Sequence, residues 1–313
     1  MESAQLGKSG ITIPRLCIGS WQAYGWQSTD ENRFIQTVQH AIDKGITFID
    51  TAPNYGKGYA EMLVGRAIAG RRDKVVLATK FLCPSLKEIR ESLEISLTLL
   101  KTDYLDLLQQ HWPTQNIPAE EVIALMEKFK QEGKIRALGV SNWLEPQWDA
   151  VKDPRRIDSL QPCYNLLWRS IEPRVLPLCR KNSISILTYS SLCQGLLTGK
   201  LTNHNLPKDF RQYNQRFKKE QVPQVSKVLG ILKEIAERYH KTMAQTALRW
   251  LLDQPGVTAV IVGASRPEQV NENLGALDWK LEPQDCQRLS EISWPLSAEL
   301  KPEDNMWGFK QKF

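Results

Sequence analysis

The sequence predicts one (β/α)8 TIM barrel spanning residues 1–313. Three observations point there. Eight short apolar runs recur along the chain. Most are almost continuously apolar, as expected of parallel strands covered on both faces. Helical patterns fill the gaps between them. The runs are RLCIGSW (15–21), ITFIDTA (46–52), KVVLATK (74–80), YLDLLQQH (104–111), IRALGVSN (135–142), IDSLQPCY (157–164), SISILTYS (183–190) and TAVIVGA (258–264). Spacing is nearly even through the fifth, shorter to the seventh, and long before the eighth.

The gaps carry helix signals in turn. After the first run, Phe34, Val38, Ala41 and Ile42 recur at helical spacing, and Gly45 supplies a stop. After the third, Ser85 and Glu88 fit a capping box ahead of the stripe Ile89, Leu93, Leu97 and Leu100. After the fourth, Pro118 opens a helix carrying Val122, Leu125, Met126 and Phe129, which Gly133 ends. The long gap before the eighth run holds LCQGLLTGKL (192–201), a polar stretch, and helices around 222–240 and 242–254. Long βα loops in barrels usually serve function. A last helix covers 283–293, followed by a tail with Trp307 and Phe309. A doubly wound open sheet is the competing fold, but no G-x-G-x-x-G follows the first run.

Composition narrows the function classes. The chain is 42% hydrophobic and 24% charged, ordinary for a globular protein. No apolar run approaches the roughly 20 residues of a membrane helix, and the N-terminus shows no signal-peptide core. The net charge of +6 is scattered, with RRDK (71–74) and FKK (217–219) as its densest clusters, which disfavours nucleic acid as a partner. Cys17, Cys83, Cys163, Cys179, Cys193 and Cys286 form neither a C-x-x-C pair nor a zinc spacing, so no metal is expected. A cytoplasmic protein, monomeric or weakly oligomeric, is the expectation.

Chemistry concentrates at the C-terminal ends of successive runs. Asp50, Lys80 and His111 close the second, third and fourth runs, and Tyr55 lies just beyond Asp50. In a parallel barrel all four gather at one rim. Singly, each has an ordinary structural alternative: a helix cap, a loop aromatic, a surface lysine, a rim histidine. His40, His204 and His240 are of that kind. Together they differ, because a charge ending an apolar strand must be paired or solvated. Asp50 and Lys80 on adjacent strands make an ion pair, and the cation is expected to lower the pKa of Tyr55 from about 10. Such a phenol is a competent general acid. A neutral His111 can donate a hydrogen bond to a carbonyl.

The stretches DTAPNYGKGYAEMLVGRAI (50–68), ATKF (78–81), SLTLLKTDYLDLLQQHWP (96–113) and GKIRALGVSNW (133–143) resemble the aldo-keto reductase superfamily. The likeness runs from LGKSGITIPRLCIGSW to the last helices, and TYSSLCQGLLTGK (188–200) is similar to its bacterial and channel-β-subunit-like branches. The resemblance implies that Tyr55 is the proton donor, that Lys80 and Asp50 tune it, and that His111 orients the carbonyl. It implies NADPH bound in an extended pose. Ser141, Asn142 and Gln161 would hold the carboxamide, and Tyr189 would stack on the nicotinamide. Ser190, Leu192, Gln194, Gly195, Leu196, Thr198 and Lys200 would wrap the pyrophosphate, with Gly195 and Gly199 letting backbone amides approach it. Gly263, Ser265, Arg266, Gln269 and Asn273 would surround the adenosine. This chain has Gly263-Ala264 where the aldose-reductase branch has Lys-Ser, which shifts the 2′-phosphate onto Ser265 and Arg266.

The expected activity is NADPH-dependent reduction of small aldehydes and ketones. Trp21, Tyr24, Trp26 and Trp112, after the first and fourth runs, are candidates for the substrate wall. Two other classes stay open: an NADPH-binding sensor or regulatory subunit with little turnover, and a Schiff-base aldolase with Lys80 as nucleophile. Asp50 counts against the aldolase, because it would keep the amine protonated.

Overall fold

The computed structural model describes residues 1–24, 30–114, 116–201, 208–301 and 304–308. A two-stranded antiparallel hairpin, β1 (Ser3–Gln5) and β2 (Thr12–Pro14), opens the chain. A closed parallel barrel follows: β3 (Leu16–Gly19), β4 (Phe48–Asp50), β5 (Val76–Phe81), β6 (Leu105–Gln110), β7 (Ile135–Ser141), β8 (Ser159–Gln161), β9 (Ser185–Thr188) and β10 (Val257–Gly263). Each strand pairs with the next in sequence, and β10 closes the ring on β3 through Val260–Leu16 to Gly263–Gly19. These eight strands lie within the eight apolar runs, apart from single residues at the ends of β5 and β10 (Phe81, Val257).

Alternation along the strands sorts their side chains. Leu16, Ile18, Ile49, Leu77 and Leu108 face outward and join the helices in one large apolar cluster. Cys17, Phe48, Ala78, Leu107, Ala137, Leu187 and Ala259 form a second cluster inside the barrel. Two residues further along the same strands come Asp50, Lys80 and Gln109, so the interior changes from apolar to polar near its C-terminal mouth. The hairpin seals the opposite end by adding Leu6, Ile11 and Ile13 to the inner cluster. Its turn is pressed so closely on the β7–β8 connection that a Cβ at Gly7 (φ +53°) would meet the Asp158 carbonyl oxygen at 2.3 Å. The strands of this hairpin are too short for a periodic pattern to show in the sequence.

The expected helices appear as α1 (Glu31–Asp43), α3 (Leu86–Leu100), α4 (Ala119–Gln131), α7 (Val222–Arg238), α8 (Met243–Asp253) and α10 (Pro283–Ala298). Further helices are α2 (Tyr59–Ala67), α5 (Glu145–Asp149), α6 (Val175–Lys181) and α9 (Pro267–Leu274). Ser85 caps α3 by accepting from the Glu88 N–H, but its hydroxyl also donates to the Glu88 carboxylate at 2.5 Å, so only half of the expected capping box forms. Helix α10 runs through Pro295 to Ala298, further than the pattern indicated. Among the described residues no helix is long and apolar enough to cross a membrane, and no group of acidic, His and Cys side chains could hold a metal. All six cysteines are free.

One buried charge ties three strands together. Asp106 on β6 accepts from the Leu77 N–H at 2.9 Å and pairs with Arg72 at 2.8 Å and Arg136 at 2.5 Å. Asp106→Ala leaves the half-buried Arg72 guanidinium and a strand N–H without that acceptor. It should cost about 3–5 kcal/mol, read as a lowered urea midpoint at unchanged m-value. A loss under about 1 kcal/mol would reduce the cluster to an ordinary surface pairing.

Candidate active site

The four rim side chains come together as the barrel register requires. Gly19 pairs with Asp50, Asp50 with Ala78, and Lys80 with Gln109, which places the ends of β3 to β6 at one level. Lys80 is fully buried, and its ammonium donates to Asp50 Oδ2 at 2.6 Å and to the Thr51 carbonyl at 2.9 Å. The other Asp50 oxygen accepts from Gln161 Nε2 at 2.8 Å and Gln109 Nε2 at 3.2 Å. Asp50 therefore meets a cation on one oxygen and two amides on the other. The Lys80 ammonium stands 5.4 Å from the centre of the Tyr55 ring, and the His111 ring lies edge-on to the same ring at 5.9 Å.

Burial is the largest single influence on Lys80, His111 and Tyr55, and it sets the net direction for the last two. It would lower the Lys80 pKa, but Asp50 and then Tyr55 outweigh it, and the ammonium is held above its usual range. Burial also depresses His111 well below the ordinary histidine value, with Lys80 adding to the effect, so the imidazole is neutral. For Tyr55 the expected direction is corrected. Desolvation raises its pKa, and this exceeds the opposing pull of Lys80, so the net shift is upward from 10. Sequence position reveals a nearby cation but not how much water is removed with it. The phenol consequently keeps its proton at neutral pH.

A cavity of about 690 Å³ opens above this group. Asp50, Tyr55 and His111 stand in its wall, with Lys80 beneath. Of the residues expected to bind a dinucleotide, Ser141, Asn142, Gln161, Tyr189, Ser190, Leu192, Gln194, Gly195, Thr198, Lys200, Gly263, Ser265, Gln269 and Asn273 line it. Leu196 and Arg266 do not. Leu196 faces a smaller neighbouring cavity, and Arg266 is exposed at the N-cap of α9 with its guanidinium 3.6 Å from Glu268. Trp21 and Trp112 line the main cavity, whereas Tyr24 is 56% exposed outside that lining, its ring against Gly56. Trp26 and Phe309 lie outside the described residues.

Several of these side chains are already engaged with one another. Asn142, at φ +58°, donates from Nδ2 to the His111 carbonyl and accepts the Tyr189 hydroxyl on Oδ1 at 2.8 Å, which fixes the Tyr189 ring. The Gln161 amide nitrogen is given to Asp50. The N–H groups of Gly195 and Gly199 donate to the carbonyls of Leu192 and Leu196, so these glycines serve the turn itself. The loop is nonetheless strained, because Ser190, Cys193 and Gln194 all take positive φ, which non-glycine residues rarely adopt. Burial raises the Cys193 thiol to about 11, which keeps it an unreactive structural group.

Two buried side-chain atoms of residues in its wall have no hydrogen-bond partner: His111 Nδ1 and Gln194 Nε2. Buried polar groups are seldom left so. The Tyr189 ring and the amide side chains of Asn142, Gln194 and Gln269 give the cavity a mixed aromatic and polar wall that suits an elongated polar ligand. Other wall residues escaped the sequence reading. Phe210 and Trp307 close over Trp21 edge-on at 5.9 and 6.3 Å, and Trp307 lies parallel to Tyr189 at 6.1 Å. Nothing in a polar loop and a terminal tail signals such a meeting. Glu272 was legible, since it lies three residues after Gln269 on one helical face; Lys200 reaches it at 4.0 Å.

Comparison with known proteins agrees with this geometry. The family model described as Aldo/keto reductase family matches residues 15–293. The aldo-keto reductase YhdN of Bacillus subtilis is 39% identical over 93% of both chains. The NADH-specific methylglyoxal reductase of Escherichia coli is 33% identical over 94% of this chain and 98% of its own. Among solved structures, the glycerol dehydrogenase of Gluconobacter oxydans superposes with a TM-score of 0.85 at 33% identity, covering 93% and 94% of the two chains. An aldo/keto reductase of Klebsiella pneumoniae in complex with NADP and acetate gives 0.78 at 29% identity over 96% and 97%. With its barrel, its rim cluster and its relatives in agreement, the chain belongs to the aldo/keto reductase family.

Proposed function

We propose that this protein reduces aldehydes and ketones to alcohols with a reduced nicotinamide dinucleotide, and that Tyr55 delivers the proton. The observation that carries this reading is the buried Lys80–Asp50 pair beneath a protonated phenol and a neutral imidazole, all at the mouth of one cavity. The nicotinamide supplies the hydride; everything else falls to the chain. As negative charge grows on the carbonyl oxygen, Tyr55 gives up its proton, and the adjacent ammonium stabilises the phenolate left behind. His111 holds the carbonyl in place. Its Nε2–H tautomer leaves only a lone pair at the buried Nδ1, the less costly group to leave unpaired, and directs the donor toward the cavity. Trp21, Trp112 and Phe210 give the substrate an aromatic wall.

The alternatives fare worse on the same geometry. A Schiff-base nucleophile must be an unprotonated, reachable amine, and Lys80 is fully buried and held protonated by Asp50. A regulatory subunit needs only the dinucleotide, and nothing in that role calls for a proton donor built over a buried ion pair. Tyr55→Phe should lower carbonyl turnover by about 10²–10⁴-fold while fluorescence titration shows cofactor binding intact. A loss below about tenfold would remove Tyr55 from the chemistry.

For the dinucleotide we propose NADPH. Ser265 lines the cavity, and the exposed Arg266–Glu268 pairing beside it is worth about 0–1 kcal/mol. Trading it for a charge-assisted contact with a 2′-phosphate is favourable. The NADP complex of the Klebsiella relative agrees. NADH has its own support: Arg266 stands outside the cavity while Glu272 stands within it, and the E. coli relative is named NADH-specific. Steady-state kinetics with both cofactors separates them. NADPH should be favoured by about tenfold or more, with Arg266→Ala raising the Michaelis constant for NADPH and leaving NADH kinetics unchanged. Equal use of the two by the wild type, or equal weakening in the variant, would favour the second reading.

A further inference from the structure

Glu61 lies outside the cluster described so far, yet it is fully buried. It sits in the first turns of α2, the helix that starts directly after the turn bearing Tyr55. Its Oε1 accepts from the Thr79 hydroxyl at 2.6 Å. Thr79 immediately precedes Lys80 on β5, and alternation turns its side chain outward toward α2 while Lys80 points into the barrel. The other carboxyl oxygen, Oε2, is buried without a hydrogen-bond partner. So is the hydroxyl of Ser96 on α3, which is close enough to favour the charged carboxyl. Burial prevails, and the Glu61 carboxyl is raised above its usual range. A half-satisfied buried acid costs stability.

The backbone shows what this acid is attached to. Tyr55 is followed by Gly56, Lys57 and Gly58, all at positive φ. The turn ends where the Ala60 N–H donates to the Tyr55 carbonyl at 3.1 Å. Ala60 is the residue before Glu61. A short path therefore runs from the Tyr55 carbonyl through Ala60 and Glu61 to Thr79 and Lys80, around the outside of the strand. We propose that Glu61 is a positioning residue for the proton donor: its carboxyl ties the Tyr55 turn to the strand that carries Lys80. This inference rests on Tyr55 being the proton donor.

Displacement of a reacting group by about 1 Å costs on the order of 10²-fold in rate, so release of this tether should be visible in turnover. Thr79→Val removes the bond while keeping the shape of the strand. Glu61→Gln keeps an acceptor for Thr79 and offers Ser96 a donor. With NADPH and a small aldehyde at saturation, Thr79→Val should lower kcat by about tenfold or more, leaving cofactor affinity and the Michaelis constant for the aldehyde near wild type. Glu61→Gln should stay within about threefold of wild type, since the acceptor survives. Placed on Tyr55→Phe, Thr79→Val should add no further loss. A stability role alone would lower the melting temperature without that split or that non-additivity. Normal kcat in Thr79→Val, or an equal loss on the Tyr55→Phe background, overturns the positioning role. A kcat loss in Glu61→Gln as large as in Thr79→Val would overturn it as well, by showing that charge matters and not the tether. If Tyr55→Phe itself loses nothing, the proton-donor reading fails first, and the two failures are told apart.

Discussion

The site depends on keeping a lysine and an aspartate out of water inside a barrel. Lys80 and Asp50 lie 2.6 Å apart, both essentially buried. Taking two such charges from water costs several kcal/mol per ion, and attraction between them recovers this only when the remaining polar atoms are also satisfied. Here the remaining contacts are the Thr51 carbonyl on the lysine and the amides of Gln109 and Gln161 on the aspartate. Strands β4, β5, β6 and β8 therefore converge on one pair. A hydrophobic pair of similar volume would serve stability as well or better, so the charges point to chemistry.

The same burial that makes the pair costly sets the state of its neighbours. Removing water pushes Tyr55 up and His111 down, and in each case the neutral form results. A phenol that keeps its proton until charge develops, beside an imidazole that can donate without being a cation, suits reduction of a carbonyl. Lys80 opposes burial at Tyr55 without overcoming it. In the proposed mechanism its contribution is to the phenolate that would form as the proton leaves, which is where differential stabilisation counts.

Much of this was legible in the sequence, for a reason specific to parallel barrels. Continuous apolar runs mark the strands, and any polar residue that closes one must stand at the rim, so Asp50, Lys80 and His111 could be placed without a structure. Tyr55 followed from its distance to Asp50. The direction of its pKa was not legible, because the sequence shows charges and hides desolvation. Arg266 illustrates a second limit: its position after β10 was clear, but whether a side chain at a helix N-cap turns toward the cavity or toward Glu268 depends on rotamers. Tyr24 is a third case, drawn onto Gly56 and away from the cavity. Phe210 and Trp307 meet over Trp21 from segments far apart in the chain, and only the folded backbone brings them together.

The most direct test of the account is carbonyl turnover by Lys80→Met at neutral pH, with cofactor saturation confirmed by fluorescence titration on the same sample. Without the ammonium, Asp50 is an unpaired buried charge and the Tyr55 phenolate loses its stabilising neighbour. Turnover should fall by about 10²-fold or more with the cofactor still bound. Near-normal turnover in a variant that binds the cofactor would contradict the account, because Tyr55 would then be giving up its proton without the buried pair beneath it.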